Sequence, residues 1–306
     1  HTLRLVFGVA YLIVMFLIAL MLRLFTKQAF SPVSRMIGEV QAINDSNHLD
    51  IRIDEGNKKD ELAELAITFN RMLGQLQTSF AAQKQFVYNI SHELRTPLAA
   101  IITELELSRE KERNETEYKQ VIDRTLQDAK RLSKLSTDLL DIAKANYASG
   151  QIAMHEVRLD ELLIEVCNKM QKSNPSYTVQ LFFDKSFEDE HLISCTGNEY
   201  LLGVTFSNLI ENGCKFSADK SCEVHISYEG SEALISVIDH GTGIPEEDQT
   251  RIYIPFYRGA NKSLAPGNGI GLALSAKIVE LHNGSINLRS KPGLTVFTIH
   301  LKNLSE

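Results

Sequence analysis

NISHELRTPLAAI, residues 89–101, sets His92 beside an acid, Glu93, with Thr96 one helical turn on and Pro97 five positions away. An imidazole next to a carboxylate can act as a nucleophile, the carboxylate taking its proton as the other ring nitrogen attacks. Phe86, Ile90, Leu94, Leu98, Ile101 and Leu105 recur at three or four residues, which makes one apolar stripe of a helix. His92 lies two residues from both Ile90 and Leu94, so it falls on the opposite, solvent-facing side. Taken alone, these residues describe an ordinary surface histidine. Pro97 removes a backbone donor and crowds the preceding turn, so a kink is expected within about a turn of the histidine.

Three stretches near the other end of the chain point to phosphate chemistry. NLIENGCKF (208–216) places Asn208 and Asn212 four apart on one helix face. An amide oxygen is a hard, neutral ligand suited to Mg²⁺ bridging phosphates, and Lys215 could meet a phosphate as a point charge. DHGTGIP (239–245) ends a strand with Asp239, Gly241 and Gly243. A buried carboxylate there can accept a hydrogen bond from an exocyclic amine while the glycines let a base approach the backbone. GNGIGLAL (267–274) opens a helix with Gly267, Gly269 and Gly271, a backbone nest suited to phosphate. YIPFYRGANKSLAP (253–266), between the last two, reads as a lid. Each stretch is weak alone; their order is the specific signal. No G-x-x-x-x-G-K-[ST] run is present, so this is no P-loop protein.

The elements that must hold these residues can be read from periodicity. LVFGVAYLIVMFLIALML (5–22) carries no charge and is long enough to cross a bilayer as a helix. A signal peptide is the competing reading, but its apolar region is shorter and ends at small residues. Arg23, Lys27 and Arg35 follow the run, which places everything beyond about residue 26 in the cytoplasm. The chain begins with His1, which suggests a piece of a longer protein. Two amphipathic patterns follow, one with Pro32, Val33, Met36, Ile37 and Val40, the other with Leu62, Leu65, Phe69, Met72, Leu73 and Leu76. A juxtamembrane coiled coil would show the same pattern. After the His92 helix and the charged turn REKERNETE, a second helix carries Tyr118, Ile122, Thr125, Ala129, Leu132, Ser136, Leu139 and Ala143 in a four-three repeat. Such a hairpin buries too little alone, and pairing with a second copy into a four-helix bundle is the natural solution.

NYASGQ (146–151) reads as a hinge. Beyond it, strand-like TVQLFFD, CEVHISYE, ALISVIDH, GSINLRS and TVFTIHL interleave with helices near 159–172, 198–213 and 270–282, an α/β sandwich. A net charge of -7 gives no basic footprint for nucleic acid. Four dispersed cysteines, without a C-x-x-C pair, suggest neither zinc nor disulfides and fit a reducing compartment.

The order H-E-L-R-T-P, N-x-x-x-N-x-x-K-F, D-x-G-x-G-I-P, P-F-Y-R and G-x-G-I-G-L-A-L resembles that of bacterial sensor histidine kinases of two-component systems. The D-E-L…L…F-N-x-M run at 60–72 resembles a HAMP linker. The resemblance implies a multidomain membrane protein: a transmembrane helix (3–25), a HAMP-like linker (26–78), an all-α dimeric four-helix-bundle phosphoacceptor domain (79–148) and an α/β sandwich ATP-binding domain (153–303). It implies location in the bacterial inner membrane, a homodimer, a cognate response regulator as partner, and ATP with Mg²⁺ as cofactors. His92 would be the phosphoacceptor, with Glu93 and Thr96 as catalytic neighbours. Asn208, Asn212, Lys215, Phe216, Asp239, Gly241, Gly243, Gly267, Gly269, Gly271 and Leu272 would bind nucleotide, with Asn212 on the metal.

The departures are His240 for the usual Asn, Gly213 for a common Ala, and Tyr253-Ile254 for Phe-Glu; they bear on lid packing more than on nucleotide binding. Cys214 is expected to be packing. Two rivals remain: a hydrolytic ATPase, and a scaffold with a degenerate pocket. In related ATPases a Glu stands four residues before the metal-binding Asn; here that position is Asn208, which cannot act as a base. Glu211 lies out of that register and is expected to be solvated.

Overall fold

The computed structural model describes the backbone of residues 2–46, 50, 52–55, 61–110, 113–147, 152–184, 190–259 and 267–304. In the first helix it describes the side chains of 7–8, 11–27, 30–31 and 37–38, and it omits those of 61–62, 146–147 and 190. The chain divides into two units, His1–Val87 and Tyr88–Glu306.

In the first unit, α1 (Thr2–Ser46) unites the expected membrane span and the first linker helix in one helix. Tyr11, Leu12, Phe16, Met21 and Phe25 are exposed along it. Among the described residues no helix is long and apolar enough to cross a membrane. Pro32, Val33, Met36 and Val40 of the first linker stripe lie outside the described side chains, and so does Leu62 of the second. The second stripe opens α2 (Glu61–Glu110). Ala66 and Leu73 of this helix bury Ile53 of the connector, with Phe69 packed against them. Asn70 clamps the same residue: its amide donates to the Ile53 carbonyl and accepts from the Ile53 N–H, both at 2.9 Å. One side chain thus satisfies both backbone groups of a connector residue that has no sheet partner among the described residues.

In the second unit, α2 runs on through Pro97, which is buried, without a break in the helix. Ile90, Leu94 and Ile101 are half-buried, whereas Leu98 and Leu105 on the same stripe are exposed. The turn REKERNETE, of which 111–112 lie outside the described residues, ends in a capping box. The Asn114 side chain accepts from the Glu117 N–H at 2.9 Å, and the Asn114 N–H donates to the Glu117 carboxylate at 3.0 Å. This satisfies two orphan donors and starts α3 (Glu115–Tyr147). The four-three seam is only partly inside. Thr125, Leu132 and Leu139 are half-buried, but Tyr118, Ile122, Ala129, Ser136 and Ala143 are exposed. The buried face is instead Val121, Leu135, Ile142 and Ala145. The seam is expected to be covered by a second copy, and within the one chain α3 also packs against the helix Gly271–Leu281.

The hinge expected at 146–151 falls largely outside the described residues. Beyond it, a five-stranded sheet has the order β2-β4-β5-β7-β6. The strands are β2 (Thr178–Phe183), β4 (Ser221–Glu229), β5 (Glu232–Asp239), β6 (Ser285–Lys291) and β7 (Leu294–Lys302). β2 pairs parallel with β4, and the other neighbours are antiparallel. Burial alternates along β4, β5 and β7, so Val224, Ile226, Ile235, Val237, Phe297 and Ile299 face one core. That core is covered by α4 (Leu159–Ser173), α5 (Glu199–Phe216) and, after the short α6 (Glu246–Gln249), α7 (Gly271–Leu281). The expected α/β sandwich is present. Two strands were not anticipated: β1 (His155–Arg158) and β3 (Ser194–Gly197) form a separate antiparallel pair. Four residues each are too few to show a period.

A buried histidine ties the helices together. The Asn198 N–H donates to His282 Nε2 at 2.9 Å, so the other ring nitrogen carries the proton and donates to the Ile278 carbonyl at 2.7 Å. Burial holds this imidazole below its ordinary pKa, in the neutral form the two bonds require. It joins the end of α7 to the start of α5, where Asn198 caps the helix by accepting from the Leu201 N–H. These are the two helices that frame the site.

Candidate functional site

A cavity of about 730 Å³ opens among α5, α7, the segment after β5, and α3. From α5 it is lined by Asn208, Glu211, Asn212, Lys215 and Phe216. The strand end and following loop bring Asp239 and Gly243, and the glycine-rich turn brings Gly267, Gly269, Gly271 and Leu272. The structure therefore gathers every anticipated nucleotide residue in one cavity except Gly241, which lies just behind it. The Gly241 N–H donates to Asp239 Oδ1 at 2.9 Å, and a Cβ at Gly241 would strike the Phe216 carbonyl. Gly269 has φ +68° and hands its carbonyl to the Phe256 N–H at 2.8 Å, which pins the described part of the lid. Residues 260–266 of the lid lie outside the described residues.

Asp239 occupies an inward position of β5, two residues beyond Val237, where the alternation otherwise puts a hydrophobe. Its pKa is pushed up to about 6 by burial, against the lowering effect of the Gly241 N–H and of His240. The fold thus spends stability to hold an acceptor among apolar neighbours. Asn208 donates to the Gly271 carbonyl at 3.4 Å, linking α5 to the first turn of α7.

Glu211 is not solvated as expected. Lys134 of α3 donates to its Oε2 at 2.6 Å and Lys215 lies 3.3 Å from its Oε1. Burial alone would raise this carboxyl, but the two lysines bring it below the ordinary carboxylate range. The register argument placed Glu211 away from the metal-side asparagines but could not see α3 arriving on that side.

α3 supplies the wall that periodicity did not reveal: Gln127, Asp128, Lys130, Arg131, Lys134 and Asp138 all line the cavity. Burial pushes Asp138 up to about 6, Lys134 opposes this, and Asp141 and Glu211 add to it. Below it, buried Asp141 accepts from the Tyr200 hydroxyl at 3.1 Å and from Lys144 at 3.3 Å. Tyr200 and Asp141 lie 59 residues apart and Lys134 and Glu211 77, beyond any local pattern.

His92 is exposed on α2, as its spacing required, and does not line the cavity. Its ring centroid lies 6.4 Å from that of Tyr88. Glu93 is half-buried, with its Oε2 3.7 Å from Arg131 Nη2. The Thr96 hydroxyl donates to the His92 carbonyl at 3.2 Å, one turn back along the helix.

Among the departures, His240 is exposed and Ile254 is 52 % exposed, and neither lines the cavity. Gly213 is small for a reason, since a Cβ there would come within 3.0 Å of Cys222 Cβ. All four cysteines are buried and free, and Cys214 lies 3.4 Å from Cys222 sulfur to sulfur, as packing. Among the described residues no group of three His, Cys, Asp or Glu could hold a metal.

Three family models match successive parts of the chain. Residues 24–78 match the HAMP domain and 82–148 the His Kinase A (phospho-acceptor) domain; 197–305 match the histidine kinase-, DNA gyrase B- and HSP90-like ATPase. The chain is 26 % identical over 308 residues to the probable sensor kinase SilS of Salmonella typhimurium, covering 96 % of this chain and 59 % of that protein. It is 31 % identical over 237 residues to the signal transduction histidine-protein kinase ArlS of Staphylococcus aureus, covering 76 % of this chain and 51 % of that one. The chain thus spans little more than half the length of these relatives. The solved histidine kinase ThkA, in complex with the response regulator protein TrrA, shares the fold: TM-score 0.59 at 19 % identity, covering 75 % of this chain and 64 % of that one.

The raised Asp239 carboxyl has a consequence for stability. The folded chain holds that proton more tightly than the unfolded chain, so the stability it contributes is present below about pH 4 and is lost as the pH rises through about 6. Asp239→Asn, neutral throughout, is expected to unfold at higher urea than wild type at pH 7.5, by on the order of 1–3 kcal/mol. The advantage should shrink as the pH falls and vanish only below about pH 4. A variant less stable than wild type at pH 7.5 would contradict the assignment of the strain to ionisation.

Proposed function

The chain belongs to the sensor histidine kinases of bacterial two-component systems, and we propose that it moves the γ-phosphoryl group of ATP to His92 and on to an aspartate of a separate response regulator. The observation that carries this reading is the shared cavity: one wall holds the asparagines and glycines, and the other is α3, the hairpin partner of the helix that bears His92. A side chain and a nucleotide site walled by its own hairpin suit transfer to protein. Hydrolysis would need a base beside the metal-side amides. Asn208 cannot be one, and Glu211 is held by two lysines.

In this reading Asp239 accepts from the adenine amine and the glycine turn before α7 receives the phosphates. The cavity offers a metal amide oxygens without a carboxylate cage, which fits Mg²⁺ held chiefly by nucleotide phosphates, with Asn212 as the protein ligand. Bound there, it would neutralise charge on the transferring group. One imidazole nitrogen of His92 forms the N–P bond as the bond from phosphorus to the ADP oxygen breaks, and Glu93 takes the proton from the other nitrogen. Thr96, whose hydroxyl proton already goes to the His92 carbonyl, keeps an oxygen able to accept from a water. That suits removal of phosphate from a docked regulator.

Further support concerns assembly and place. Leu98, Ile102 and Leu105 on α2 and Tyr118, Ile122 and Leu126 on α3 are exposed large hydrophobics. Their burial by a second copy would complete a four-helix bundle over 79–148. The exposed apolar residues of α1, followed by Arg23 and Lys27, support a span at 3–25 in the inner membrane with the linker (26–78) and the nucleotide domain (153–303) in the cytoplasm.

Incubation with labelled ATP should leave acid-labile, base-stable phosphate on the chain. His92→Gln is expected to lose it while binding ATP within about threefold of wild type, because the sites are distinct. Asn212→Ala should lose Mg²⁺-dependent ATP binding by calorimetry. Full labelling of His92→Gln would overturn the acceptor, and unchanged Mg²⁺-ATP affinity in Asn212→Ala would overturn the ligand.

Thr96→Ala provides an independent check. It should keep autophosphorylation within about threefold, since the hydroxyl does not serve the imidazole, and slow regulator dephosphorylation about tenfold or more. Dephosphorylation at the wild-type rate would leave Thr96 a helix residue only.

A further inference from the structure

Arg131 has no part in the chemistry described so far, yet it touches both halves of it. Its Nη2 lies 3.7 Å from Glu93 Oε2, on the acid beside His92. Its Nε donates at 3.3 Å to Oδ1 of Asn268, inside the glycine turn that opens α7. The same side chain lines the cavity. A guanidinium presents its donors in a rigid plane and can hold two acceptors on different elements at a fixed geometry; an ammonium is a compact point charge whose donors all sit on one atom.

We propose that Arg131 is a positioning residue for phosphoryl transfer, holding Glu93 toward the imidazole and tying that orientation to the glycine turn of the docked nucleotide domain. The inference rests on the kinase reading. With its fork seated, the carboxylate is aimed when the phosphate-bearing turn is in place; without it, Glu93 samples other rotamers and the proton acceptor is misplaced. The Arg131 and Glu93 side chains are 48 % and 34 % exposed. An ion pair that open contributes little to stability, so its loss should appear in rate and not in folding.

The test measures autophosphorylation at saturating ATP alongside ATP affinity. Arg131→Ala should slow the reaction about tenfold or more with ATP affinity within about threefold, and millimolar guanidinium should restore part of the rate. Arg131→Lys should recover only part. Because Arg131 acts through Glu93, adding Arg131→Ala to Glu93→Ala should cost no further rate. Lys119→Ala, which removes an equal charge from α3 outside the cavity, should behave as wild type. With wild type active, an unaffected Arg131→Ala would overturn the inference and leave the kinase reading standing. So would a loss that multiplies with that of Glu93→Ala, or an equal loss in Lys119→Ala. No acid-labile phosphate on wild type would remove the kinase reading, and this inference with it.

Discussion

The 2.6 Å ion pair between Lys134 and Glu211 joins the helix hairpin to the nucleotide cavity, and most of the site's geometry follows from it. It brings the basic stretch of α3 over α5, closes one side of the cavity, and draws Lys215 into a shared network around one carboxylate. Asp138 lies beside this pair, where burial drives its carboxyl up to about 6, Lys134 opposes the rise, and Asp141 and Glu211 add to it. Tyr200 on Asp141 and Arg131 on Asn268 extend the same contact along the helix. This part of the joint is polar and partly exposed, with Lys134 at 54 % and Glu211 at 26 %. Such pairs contribute roughly 0–1 kcal/mol each. A joint of that weight can open, as the proposed cycle requires when His92 turns from ATP to a regulator.

Energy is invested differently inside the nucleotide domain. Its core of Leu163, Leu202, Phe206, Ile210, Val224 and Ile235 is sealed from water. This rigid body can carry the cost of a carboxylate at Asp239, placed by strand alternation where a hydrophobe would fit. The glycine behind it serves the same purpose: the Gly241 N–H satisfies one oxygen and no Cβ intrudes on the Phe216 carbonyl. Stability in the core thus supports a functional site that is unfavourable by itself.

The residues that gather around the cavity were legible because each sits at a local signal: an amide pair at one helical turn, an acid ending a strand, glycines before a helix. The exposed face of His92 was legible for the same reason. Glu211 and the α3 wall were not, since Lys134–Glu211 and Arg131–Asn268 bridge 77 and 137 residues and leave no trace in a period. The burial of Val121, Leu135 and Ile142 within one chain was not legible, because contacts such as that of α3 with α7 are tertiary facts. β1 and β3 escaped notice at four residues each. Asn70 stands in the HAMP-like run at 60–72, but its two hydrogen bonds to Ile53 depend on a connector with no pattern of its own.

The most direct test of the central contact is a double-mutant cycle on Lys134→Ala and Glu211→Ala, read as the autophosphorylation rate of the purified chain. If the pair seats the nucleotide domain on α3, each substitution slows the reaction and the double variant is no slower than the worse single one. The coupling should then be about fivefold or more, as for directly paired groups. Losses that simply multiply would show that the two residues act apart, and the account of α3 as a wall of the working site would fail.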